Sequence, residues 1–142
     1  DATPTGITIQ QADIRDFDTA GFDVIGLVGL LYHLGLDDQV AVLRRCGGRP
    51  TVVDTEVWCP EVVAAHGLAS SRVRQVQPIA GITGAMLTET DDLWSSYGNR
   101  ESFWPTEDGL HRMMGGMGWT RLTAIDPPYL SRFGRRRWYV LQ

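Results

Sequence analysis

Tyr32 and His33 close one apolar run, residues 22–34, and Asp54 and Glu56 close another, residues 50–57. A phenol, an imidazole and two carboxylates at such ends are groups that exchange protons or take hydrogen bonds from hydroxyls. Histidine is the side chain whose unperturbed pKa lies near neutrality, so His33 is suited to accept a proton there. The plainer alternative is that it orients a turn or lines a pocket. Asp54 and Glu56 stand two apart, so in a strand they share a face. They suit hydroxyl recognition, a hydrated divalent cation, or simply the charged end of a strand. Two carboxylates alone are weak evidence for a metal, and none is assigned.

Trp94, Tyr97, Arg100, Glu101 and Trp104 form a second cluster. Flat rings beside charged groups suit sugars and other polyhydroxylated or aromatic molecules, while packing explains any one ring equally well. His66 and His111 have weaker contexts, one in an irregular stretch and one on a covering helix. The basic residues Arg132, Arg135, Arg136 and Arg137 could touch phosphates. A solvated hairpin before a last strand is the preferred reading of that run. Cys46 and Cys59 lack a partner motif and read as free thiols.

The 142 residues amount to about one domain, and 43% hydrophobic content is enough for a core. Net charge is −4 with every basic residue an arginine, so nucleic acid is not favoured as a partner. No run reaches the roughly 20 apolar residues that span a bilayer. The first residues lack the basic-then-apolar pattern of a secretory signal, which makes cytoplasm the default expectation.

Several elements must position these groups. Residues 6–13 alternate β-branched and polar side chains as a strand would. A strand from Phe22 follows, then a helix opened by Asp37 and Asp38, with Val40, Val42 and Leu43 as its apolar face and Gly47-Gly48 as its stop. Residues 50–57 form the next strand. From 58 to about 103 periodicity fades, which marks a long substrate-side insertion. Thr106 then caps a helix carrying Leu110, Met113, Met114 and Met117, which ends at Gly118. Two strands, 119–125 and 137–141, close the chain around Asp126-Pro127-Pro128 as an antiparallel edge.

The run 22–34, flanked by residues 12–17, 40–46 and 50–56, resembles the second half of a class I S-adenosylmethionine-dependent methyltransferase. The resemblance implies an α/β fold: an incomplete Rossmann-like sheet holding strands three to seven of the order three-two-one-four-five-seven-six, with helices on both faces. Residues 1–142 would form the C-terminal part of one such domain, with an insertion at about 58–104. Strands one and two and the glycine-rich turn are lacking, so the missing N-terminal half is expected in cis or on another chain.

Through the resemblance, Asp13 would accept a hydrogen bond from the adenine of S-adenosylmethionine, and the Ile14 N–H would meet a ring nitrogen. Asp13 also reads as a turn cap. Val28, Gly29 and Leu34 would lie near the methionine end, with glycine allowing close approach. His33 would be the general base for a hydroxyl acceptor, and Tyr32, Asp54, Glu56, Tyr97, Arg100 and Trp104 would shape the acceptor site. A small hydroxylated metabolite is the expected substrate, no membrane is involved, and self-association is left open. The alternatives are a transfer-RNA-modifying methyltransferase and a non-catalytic scaffold.

Overall fold

The computed structural model describes residues 6–66, 72–76, 78–90, 98–131 and 133–142. A short strand β1 (Ile25–Val28) leads through a 3-10 turn (Leu31–His33) into helix α1 (Leu36–Cys46) and strand β2 (Thr51–Val57). Helix α2 (Pro60–His66) and strands β3 (Val73–Val76), β4 (Gly84–Thr88) and β5 (Glu101–Pro105) follow. Helix α3 (Glu107–Met114) and strands β6 (Leu122–Leu130) and β7 (Arg135–Leu141) complete the order.

Two sheets result. The larger runs β1-β2-β7-β6, with β1 and β2 parallel and the other pairs antiparallel. These positions match four, five, seven and six of the expected series. The smaller is antiparallel, β3-β4-β5.

Alternation sets the core. Ile25, Leu27, Val53, Val57, Tyr139 and Leu141 turn to one face of the larger sheet and meet Val42, Leu43 and Cys46 of α1 and Leu110, Met113 and Met114 of α3. Asp37 and Asp38 in the first turn of α1 and Arg44 and Arg45 in its last complement the helix dipole. Val40 is only partly buried, so Val42 and Leu43 carry the contact. A Cβ on Gly47 would stand 2.1 Å from the Met117 carbonyl, so this stop glycine also admits the chain that follows α3. Thr106 caps α3 by accepting from Gly109 N–H at 3.1 Å.

Four expectations change. Residues 6–13 form no strand: Ile7 and Ile9 stay exposed, and no described strand lies beside them to supply a ladder. The segment from 58 contains α2 and the second sheet, because its strands are short and their pattern is broken by turns. Helix α3 ends at Met114, four residues before Gly118, and Gly115–Gly118 is turn. Pro127 and Pro128 sit inside β6 where its register with β7 slips, and the reversal lies at Ser131–Gly134. An edge strand tolerates prolines that lack an N–H.

The second sheet is pinned to the 3-10 turn. Phe103 N–H donates to Leu34 O at 2.9 Å, and the fully buried Gln39 amide donates to both Leu34 O and Phe103 O, at 2.9 and 2.5 Å. Trp58 N–H reaches Pro105 O at 2.8 Å. β5 therefore holds the turn that presents Tyr32 and His33.

Candidate functional site

β1 ends at Gly29, whose φ of +68° belongs to the left-handed region where glycine is unstrained. Its N–H donates to Asp54 O at 3.0 Å, which brings the carboxyl ends of β1 and β2 together. A Cβ on Gly29 would lie 3.0 Å from Arg136 Nη2 and 3.9 Å from the Tyr32 hydroxyl oxygen. The missing side chain makes room for a guanidinium.

Arg136 is the organising group. β7 alternation puts it opposite Glu56 in the ladder, on the face that carries Asp54. Its fork donates to Asp54 from Nε at 2.8 Å and from Nη2 at 2.5 Å, while Nη1 stands 4.0 Å from Glu56 Oε1. Asp54 and Glu56 are 2% and 1% exposed. Such a two-pronged bond is directional as well as strong. It also engages both Asp54 oxygens, leaving that carboxylate poorly suited to a cation. Burial pushes the Glu56 carboxyl upward; the Ser131 hydroxyl and Arg136 pull it down, and Asp54 adds to the rise. The solvated-hairpin expectation is thus corrected for Arg136, and for Arg137, which pairs with Glu107 and Asp126 on the other face. Arg132 lies outside the described residues.

Tyr32 sits under this cluster. The Arg136 guanidinium carbon is 5.2 Å from its ring centre, the Trp104 ring meets it edge-on at 6.1 Å, and the His33 ring is 4.1 Å away. Trp104 Nε1 donates to Tyr32 O at 3.0 Å. Burial raises the Tyr32 hydroxyl. His33 is half-buried, and burial lowers its pKa against the upward pull of Glu89, with Arg136 adding to the fall. The imidazole is consequently neutral at neutral pH, the form that accepts a proton.

Asp13 and Ile14 come to this region by a link that residue types did not reveal. Arg15 binds Asp13 through its side chain, at 2.6 Å for Nη2, and donates from Nη1 to Asn99 Oδ1 at 3.3 Å. Asn99 Nδ2 then donates to His33 O at 2.6 Å. Arg15 holds the exposed Asp13 carboxyl down at about 2. Arg45 Nη2 donates to Ile14 O at 2.7 Å.

Val28 is exposed. Leu34 buries its side chain in the core, its carbonyl serves Phe103 and Gln39, and its N–H goes to Leu31 O. Leu34 supports the turn and has no polar backbone group left for a ligand. Arg100 is exposed and offers its carbonyl to Glu89 N–H at 2.9 Å. Glu101 pairs with Arg74. Trp94 and Tyr97 lie outside the described residues, as does the side chain of His66. His111 packs edge-on against Tyr139, 5.4 Å away, as part of the α3 contact with the sheet.

No family model and no curated protein matches this sequence. Solved structures do match. The chain superposes, over 97% of its length, on 55% of a crystal structure of the N-terminal domain of EvdMO1 in the presence of SAH and D-fucose, with TM-score 0.65 and 16% identity. With the SAH-bound form of that domain the figures are 94%, 52%, 0.62 and 16%. The strand order four-five-seven-six lies within that likeness. The fold is that of a class I methyltransferase. The chain spans about half the length of the solved structures it matches. Within a class I methyltransferase fold, the Tyr32–His33 turn occupies the carboxyl end of a parallel strand, where ligands of open α/β sheets bind. Among the described residues, no helix is long and apolar enough to cross a membrane.

Proposed function

We propose that this chain forms part of an S-adenosylmethionine-dependent methyltransferase that methylates a hydroxyl of a small hydroxylated metabolite, a sugar or natural-product intermediate, in the cytoplasm. The observation that carries the reading is the meeting of the Tyr32–His33 turn with Asp54, Glu56 and Arg136 at the carboxyl ends of β1 and β2. SAH and D-fucose accompany a matched structure, which supports both the cofactor and a hydroxylated acceptor. The residues present fit the adenine side of the cofactor, where Asp13 stands exposed; the space beside Gly29 is held by the Arg136 guanidinium. S-adenosylmethionine, when bound, supplies a methyl group on a positively charged sulfur.

Asp13 would accept from the adenine amine, the Ile14 N–H would meet the ring, and Val28 and Gly29 would flank the methionine end. His33, neutral through burial, takes the proton of the acceptor hydroxyl. Tyr32, Glu56 and Trp104 border the acceptor, with Arg100 on its outer side, while Arg136 fixes Asp54. The rest of the domain comes in cis or from another chain. The outer edge of β1 has no described partner strand, and Val24 and Val28 beside it are 63% and 57% exposed. Arg136 and Arg137 are engaged by carboxylates, which favours a small acceptor over transfer RNA.

The test is transfer of a labelled methyl group by the full-length protein to D-fucose and a panel of hydroxylated sugars. Label in an ether-linked methyl group is expected. SAH binding without transfer to any hydroxylated compound points to the scaffold alternative.

A further inference from the structure

Asp13 and His33 belong to different segments, one in an irregular stretch and one in the 3-10 turn, yet a chain of hydrogen bonds joins them. Arg15 grips Asp13 from Nε, at 3.0 Å to each carboxylate oxygen, and from Nη2 at 2.6 Å to Oδ2. Its other arm, Nη1, reaches away from Asp13 and donates to Asn99 Oδ1 at 3.3 Å. Asn99 Nδ2 then donates to His33 O at 2.6 Å.

The middle of that chain needs a carboxamide, which carries an acceptor and a donor side by side. Asn99 gives its acceptor to a guanidinium and its donor to a carbonyl, so its orientation is set from both ends. Turned over, the amide would set oxygen against oxygen at His33 and N–H against N–H at Arg15. An aspartate could serve Arg15 but has no hydrogen for His33 O.

The Asp13 end is the yielding one. Residues 6–13 join no described strand, and the stretch that follows is held by side chains, with Arg45 Nη2 donating to Ile14 O at 2.7 Å and Thr19 Oγ1 donating to Arg45 O at 3.0 Å. The side chains of Arg15 and Asp13 are 38% and 44% exposed. A carboxylate so open has acceptor directions left for a ligand donor. A donor that takes up part of the Asp13 charge loosens Arg15 on that side and tightens its bond to Asn99 Oδ1. An amide polarised at its oxygen donates more strongly from its nitrogen, so the pull reaches His33 O.

We propose that Asn99 is a positioning residue that relays occupation of the adenine end to the His33 turn, so that a nucleoside at Asp13 sets the imidazole for proton transfer. This deepens the methyltransferase reading above and rests on its placement of adenine at Asp13 and of the base at His33. Asn99 acts through Arg15 and His33, and residue types alone did not mark it.

The test titrates the full-length protein, its histidines labelled with nitrogen-15, with adenosine, which has the adenine and ribose of the cofactor but no methionine to touch the turn. Adenosine is expected to shift the His33 imidazole signals and to leave those of His111, packed on Tyr139, in place. Asn99→Asp keeps the acceptor for Arg15 and loses the donor to His33 O, and Arg15→Gln cuts the chain on its other side. At saturating adenosine each variant is expected to lose most of the His33 shift. Adenosine binding that leaves His33 unmoved in the parent, or an undiminished shift in Asn99→Asp, overturns the relay and leaves the methyltransferase reading standing. No binding of adenosine overturns the relay, and if SAH also fails to bind, the methyltransferase reading falls with it. Should Asn99→Asp fail to fold, Arg15→Gln decides alone.

Discussion

Arg136 and Arg137 are neighbours in β7, yet strand alternation sends them to opposite faces, and each meets two carboxylates. Arg137 binds Glu107 in the first turn of α3 and Asp126 on β6, whose side chains are 28% and 71% exposed. Arg136 binds Asp54 and approaches Glu56, at 3% and 1%. The first set is a tether between a helix start and a sheet edge, with water at hand to replace it. The second is a closed group in which every charge depends on the others. One residue type thus serves scaffold and site a single position apart.

Four substitutions test that contrast. Arg136→Ala leaves Asp54 as a buried charge without its counter-ion, and chemical denaturation is expected to show a loss of about 3–5 kcal/mol. A loss no larger than that of Arg137→Ala would make the two arginines equivalent. Arg137→Ala is expected to remove less, about 1.5–3 kcal/mol, because its charged hydrogen bonds are partly open to water. Asp126→Ala tests the outermost pair and is expected to change stability by less than about 1 kcal/mol in the same measurement.

The smallest effect is a change of slope. The folded-state pKa of Glu56 is raised above its ordinary 4.5, first by burial. Its favourable contribution is therefore complete below the unfolded value and is lost as pH climbs from there through the raised one. Glu56→Gln cannot ionise, so it is expected to flatten that stretch of the stability–pH curve. A curve identical to that of the parent would mean that the carboxyl is not buried as described.

Much of the fold was legible because its pieces follow simple periods. Ile25 and Leu27 alternate with Gly26 and Val28, residues 51–57 are rich in β-branched side chains, and Thr106 announces α3. The second sheet was not, since β3, β4 and β5 are four or five residues long and glycines and turns break their pattern. Residues 6–13 have the alternation of a strand but no described ladder partner, and side-chain pattern alone does not pair a backbone.

In the site, Tyr32, His33, Asp54 and Glu56 were marked by their places at strand ends. Arg136 was hidden in a run of three arginines. A signal did exist: Arg136, Trp138 and Val140 share one parity in the strand, and Arg137, Tyr139 and Leu141 the other. Two acids two apart in a central strand demand a cation on their own face. Asn99 carried no such signal, because its role depends on where the second sheet docks.

The central claim is that the turn ending in His33 faces a methyl acceptor and removes its proton. Turnover of His33→Ala in the full-length protein, with SAH affinity measured alongside, tests it most directly. The account predicts a fall of about 10²- to 10⁴-fold in kcat with SAH affinity preserved, and in the parent an acid limb of kcat below pH 6.5, since burial lowers the imidazole pKa from that value. Undiminished turnover with intact SAH binding would contradict it.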